Sequence, residues 1–169
     1  MTPQKQAEWD RRFAGLCTHI AGWSEDRDFH VGAVIVGPDR EIRATGYNGL
    51  PRGVADDENE RFDRASGEKF FWFEHAERNA IYNAARMGVP LAGCTIYVNR
   101  FPCADCARAI IQSGIAHVCS PPKPEYDGAL DHSFDVSETM LREAGIAVRP
   151  VPDTPSAMPV GAVNSIGDG

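Results

Sequence analysis

Apolar residues Trp9, Phe13, Leu16, Cys17 and Ile20 recur at three- and four-residue intervals, which predicts an amphipathic helix over residues 2–22 with that stripe turned to a core. The period then changes. Val31 to Val36 is an unbroken apolar run, Gly37-Pro38-Asp39 marks a turn, and Ile42, Ala44 and Gly46 alternate with polar neighbours. Two strands of a hairpin are expected there, the second delivering Tyr47 and Asn48 at its end. Residues 50–69 are polar and rich in Asp, Glu, Arg and Gly, so they read as a long loop with at most a short helix. The run Phe70-Phe71-Trp72-Phe73 reads as extended chain that packs alternate rings into the core or a subunit interface, since aromatic rings chiefly contribute buried area. Stacking of one ring on a ligand is the other use open to it.

Helical spacing returns from His75 to Gly88, with Ala80, Ile81, Ala84 and Ala85 inward and Pro90 just beyond the end. Residues 94–98 read as a buried strand, 103–113 as a helix closed by Gly114, and 115–119 as the next strand, together a strand–helix–strand unit. Asp135 and Glu138 have capping-box spacing and are expected to open a last helix, closed by Gly145 before a strand at 146–149. Such crossovers favour parallel pairing. Residues 151–169 hold Pro152, Pro155 and Pro159 among small residues without periodicity, and are expected to form a flexible tail, or an arm ordered by a neighbouring subunit, after a single domain over 1–150.

Charge narrows the partners. A net charge of −7 offers no general basic surface, which disfavours long nucleic acid and favours a small ligand. No apolar stretch approaches membrane-spanning length and no signal-peptide core is evident, so neither a membrane nor export is expected. The five cysteines are an odd number with two in a CxxC, a pattern of metal binding in a reducing compartment; a cytoplasmic location is expected.

The chemistry lies in a split set: His75-Ala76-Glu77, then Pro102-Cys103-Ala104-Asp105-Cys106. One imidazole and two thiolates suit Zn2+, and three protein ligands leave a fourth tetrahedral position open, as in a catalytic site. Residues two apart on a helix point to opposite sides, so His75 and Glu77 serve one site only from a helix end. There the free N–H of Ala76 is also available to a substrate carbonyl. Cys103 and Cys106, three apart, share one face of a helix that opens after Pro102. Glu77 is the candidate general base and acid for hydrolytic removal of an amino group from an amidine carbon. HxE followed by PCxxC is the pattern of zinc base deaminases. A closed structural zinc site lacks a fourth ligand near either half, and a deaminase-fold binding module without turnover would not need all four residues. Cys17, Cys94 and Cys119 read as small buried hydrophobes, and His19, His30, His117 and His132 lack ligand spacing.

With Val31 to Val36, Gly46-Tyr47-Asn48-Gly49 followed by Pro51 and Gly53, Asn79-Ala80-Ile81 after the HAE triplet, and Ile110-Ile111-Gln112 with Gly114-Ile115 after the CxxC, the chain resembles the deoxycytidylate (dCMP) deaminase family of the cytidine deaminase-like superfamily. The resemblance runs in order through most of residues 24–150. It implies an α/β fold, a three-layer α/β/α sandwich around a five-stranded mixed sheet, and a homo-oligomer, commonly a hexamer. It also implies that His75, Cys103 and Cys106 hold zinc, that Glu77 shuttles protons, that Asn48 helps position the nucleotide, and that Tyr126 lies where the family places substrate contacts. The implied reaction is dCMP to dUMP with release of ammonia; deamination of another small aminated heterocycle (free base, nucleoside or pterin-like) is the rival. Arg27, Arg52 and Lys123 are the candidate phosphate partners, and Glu74, next to the histidine, brings a negative charge that opposes an anionic substrate.

Overall fold

The computed structural model describes residues 1–125 and 129–151, with the side chains of 129–131 excepted. Helix α1 (Pro3–Ala21) starts with the Thr2 hydroxyl accepting from the Lys5 N–H. Strands β1 (Gly32–Val36) and β2 (Ile42–Tyr47) form the expected antiparallel hairpin, Gly32 opposite Tyr47 and Val34 opposite Thr45. Strand β1 also pairs antiparallel with β3 (Thr95–Val98), which continues in parallel to β4 (His117–Ser120) and β5 (Ala147–Pro150). The sheet is therefore five-stranded and mixed, in the order β2-β1-β3-β4-β5.

Strand β1 is buried along its whole length, and its alternate residues face two different cores. Val34 and Val36 pack with Phe13, Cys17 and Ile20 of α1, while Ala33 and Ile35 pack with Ala80 and Ala84 of α3 (Ala76–Met87) and with Ile110 of α4 (Ala104–Gln112). Leu141 of α5 (Ala129–Glu143) belongs to the second core, which completes three layers. Cys17, Cys94 and Cys119 are buried free thiols. Among the described residues no helix is long and apolar enough to cross a membrane.

Four expectations need correction. Ala85, read as inward on α3, is exposed. Helix α5 begins at Ala129, so Asp135 lies within it; Asp135 and Glu138, three apart on one face, both pair with Lys123 instead of capping. Lys69 to Trp72 form a short helix, α2, not extended chain. Only Phe73 of that aromatic run reaches the interior, whereas Phe70 and Phe71 are 56% and 84% exposed. Strand β4 begins two residues later than expected, at His117, because Gly114 and Ile115 close the turn against Ala92 and the core. The expected tail lies outside the described residues from 152 onward; Val151 itself is buried against the α1 core.

Close approach fixes how helix α3 seats on the sheet. A Cβ on Gly46 would lie 2.4 Å from both the Ala76 carbonyl oxygen and the Ala80 nitrogen, backbone atoms that cannot rotate away. Gly32 does the same for α1, where a Cβ would meet the Cys17 carbonyl oxygen at 2.2 Å. Asn79 and Asn83 of α3 then reach the edge strand, their amides donating to the Tyr47 and Thr45 carbonyls at 2.8 and 2.7 Å. Gly46→Ala is expected to lower stability by about 1–3 kcal/mol through overpacking. Because it pushes on the first turn of α3, it is also expected to weaken metal retention at His75. Thermal unfolding with and without a chelator measures both; unchanged midpoints would show that α3 moves freely.

Candidate active site

Two loops, after the hairpin and after β3, deliver the candidate metal ligands His75, Cys103 and Cys106 to adjoining helix starts. Asn48 N–H donates to the Val31 carbonyl, and Gly49 forms an antiparallel bridge with Glu74, with N···O distances of 3.1 and 2.8 Å. That bridge fixes the chain immediately before His75, which is the N-cap of α3. Cys103 is the N-cap of α4, and the Ala104 N–H at the start of that helix donates to the Ser133 hydroxyl at 3.1 Å. Helix α5 thus caps the helix that carries both cysteines.

His75 Nδ1 lies 3.4 Å from the sulfurs of both Cys103 and Cys106. Tetrahedral zinc with ordinary bond lengths separates a nitrogen ligand from a sulfur ligand by about 3.5 Å, so the donor set fits this ion in type and in spacing. His75, Cys103 and Cys106 form the one His/Cys/Asp/Glu group among the described residues with all ligand atoms within 4.8 Å of one another. The thiols are coupled: contact with Cys106 and then with the His75 ring pulls the Cys103 thiol far below its ordinary value, against burial. The Cys103 thiolate and burial push Cys106 well above it. Burial of the His75 ring works to lower its pKa, but the Cys103 thiolate outweighs it and the net shift is upward.

Glu77, at the second position of α3, is 4% exposed. Burial raises its pKa above the usual carboxylate range, against the pull of the His75 ring. Ala76, at the first position of α3, lines the same cleft, and N–H groups in a first helical turn have no partner inside the helix.

The cleft holds about 760 Å3 of empty space, part of it open solvent at the mouth. Besides His75, Cys103 and Glu77, its walls include Phe29, Asn48, Arg64, Lys69, Phe70 and Arg100. Asn48 sits in it with its amide already engaged. Its Oδ1 accepts from Val31 N–H at 2.8 Å, and its Nδ2 donates to Asp26 Oδ2 at 2.7 Å and to the Phe29 carbonyl at 2.9 Å. Both amide hydrogens are used, so this side chain shapes the wall by holding residues 26–31 in place.

Charge is distributed differently from the sequence expectation. Arg27 stacks on Phe62 and donates to Asn59, Arg52 donates to Asn83, and Lys123 pairs with α5; none of the three lines the cleft. Arg64, Lys69 and Arg100 do, and sequence reasoning missed them. Arg100 carried a usable signal, since a residue in the β3–α4 loop three before Cys103 must lie near the metal group. Glu74 is neutralised: its carboxylate accepts from His75 N–H at 2.9 Å and pairs with Arg78 at 2.5 Å, a charge contact without hydrogen-bond alignment at Nε. Tyr126 lies outside the described residues.

Residues 7–120 match the family described as the cytidine and deoxycytidylate deaminase zinc-binding region. A deaminase from the luxG 3' region of Aliivibrio fischeri is 38% identical over 149 residues, covering 86% of this chain and 95% of that protein. The human deoxycytidylate deaminase is 38% identical over 114 residues, 66% of this chain and 63% of its own length, and the mouse protein is 38% identical over 145 residues, 84% and 79%. Among solved structures, the cyanophage S-TIM5 dCMP deaminase in complex with dCMP and dUMP superposes with a TM-score of 0.70 at 22% identity, covering 89% of this chain and 98% of that one, which supports the fold.

Proposed function

Because the chain belongs to the cytidine and deoxycytidylate deaminase zinc-binding family, we propose that it hydrolyses dCMP to dUMP and ammonia. The single observation that carries this reading is the joining, at two helix starts, of a His/Cys/Cys donor set with a buried carboxylate two residues from the histidine. His75, Cys103 and Cys106 would hold zinc, which supplies Lewis-acid activation of water when bound.

The rest is done by the chain. Glu77, poised by burial to carry a proton, would take one from the attacking water, deliver one to the ring nitrogen and assist departure of the amine as ammonia. The Ala76 N–H would donate to the ring carbonyl and so fix which edge of the base faces the metal group. Asn48 would act as a positioning residue through its hold on residues 26–31. The reading includes a cytoplasmic homo-oligomer; exposed Phe71 and Trp72 offer apolar surface that a second copy could cover.

Ammonia release from dCMP, deoxycytidine, cytosine, adenine and a pterin, with zinc measured on the same protein, tests the assignment. The expected result is one zinc per chain and the highest kcat/KM on dCMP. A zinc-loaded protein inert toward dCMP but active on an unphosphorylated base would transfer the assignment to the rival class.

A further inference from the structure

We infer that Arg64 and Arg100, placed about the ring of Phe29 on the wall of the cleft, form the phosphate subsite that makes this deaminase select a nucleotide over its nucleoside. The inference rests on the proposed reading of the reaction and adds the residues that set its substrate class.

Most charges on the cleft wall are already matched. Lys69 pairs with Asp26 at 2.5 Å and with Asp28 at 2.7 Å, so its ammonium is enclosed by carboxylates. Glu74 is matched by Arg78. Arg64 differs: among the described residues no carboxylate lies within ion-pair distance of its guanidinium, which instead rests 4.9 Å from the centroid of Phe29 and 5.3 Å from that of Phe70. Arg100 lies 4.5 Å from the same Phe29 centroid. Two guanidinium groups from separate loops therefore meet at one aromatic ring, and all three residues line the cleft that holds the metal group and Glu77.

The placement of Arg64 is built. Asp63 anchors the turn by accepting from the N–H groups of Ala65 and Ser66, its carbonyl accepts from Lys69 N–H, and Gly67 closes it with φ +87° and an N–H donated to the Arg64 carbonyl. Stacking on rings holds a guanidinium flat while leaving its N–H edge directed outward, the orientation in which it recognises phosphate through two hydrogen bonds. A positive edge beside an aromatic wall has little to offer an uncharged nucleoside.

The ratio of kcat/KM for dCMP to kcat/KM for deoxycytidine reads the subsite directly. Arg64→Gln is expected to reduce that ratio about 10- to 100-fold, the range of a lost charge-assisted hydrogen bond in a partly enclosed site. Arg100→Gln should reduce it in the same direction, and Arg64→Lys, which keeps the charge but not the fork, should retain an intermediate ratio. If Arg64→Gln does not load one zinc per chain, Arg64→Lys and Arg100→Gln carry the comparison. A wild-type protein that prefers dCMP, with a ratio unmoved in these variants, overturns the subsite and leaves the reaction standing. A wild-type protein without preference for dCMP overturns the nucleotide reading itself.

Discussion

Glu77→Gln is expected to lower turnover by about 10³- to 10⁴-fold while the protein still binds one zinc per chain, because one carboxylate serves every proton transfer of the proposed reaction. Gln fills the same space, which matters where the side chain is 4% exposed. Its amide cannot take up and return a proton. The candidate metal donors are untouched: His75 Nδ1 faces the sulfurs of Cys103, the N-cap of α4, and of Cys106 in its first turn. Burial already raises the Glu77 pKa, so removing its negative charge should leave the local fold intact. Ammonia release and metal content measured on one preparation check the result. Turnover within tenfold of the wild type would remove Glu77 from the mechanism, and loss of zinc would recast it as a structural carboxylate.

The largest expected loss of stability comes from Lys69→Met, at about 3–5 kcal/mol, the usual consequence of removing one partner of a buried ion pair. Lys69 is 5% exposed and Asp26 is 4% exposed. Asp26 Oδ1 accepts from Lys69, from Asp28 N–H at 2.8 Å and from Phe29 N–H at 3.1 Å, while Oδ2 accepts from Asn48. Without the ammonium, a buried carboxylate keeps its neutral donors but loses its counter-charge. The damage would spread to the site, because the same carboxylate anchors Asn48 and the turn leading to Phe29. Denaturant unfolding of the zinc-loaded protein measures it. Asp26→Asn in the Lys69→Met background should restore part of the loss, since the one carboxylate left without its ammonium is then Asp28, which is partly exposed. A denaturation midpoint unchanged in Lys69→Met would mean that the pair is not a keystone of the wall.

Local features of the chain were legible where a residue and its partner are close in sequence. The HAE and PCxxC segments each open a helix, so chain direction alone places His75 beside Glu77 and Cys103 beside Cys106. Strand periods, the hairpin and the parallel crossovers followed from apolar spacing in the same way. What escaped is long-range. The separation of 43 residues between Lys69 and Asp26, and the meeting of Arg64 with Arg100 at Phe29, arise from loops with no periodicity. Arg27, Arg52 and Lys123 read as free cations in sequence but find local or surface partners in the fold. The run from Phe70 to Trp72 failed for a related reason: its rings suit a strand, yet the backbone turns as a helix because Lys69 is drawn inward to Asp26.

Helix α3 also governs how chains can meet. A β-sheet edge invites a second chain to add a strand through its unpaired backbone groups. On β2, the carbonyls of Thr45 and Tyr47 are already occupied by Asn83 and Asn79. At the opposite edge, β5 ends in Pro150, which has no N–H to donate. Fibrillar growth by strand addition is thereby discouraged at both edges, and any symmetric assembly of this protein is steered toward contacts between helices and loops, with each sheet kept within its own subunit.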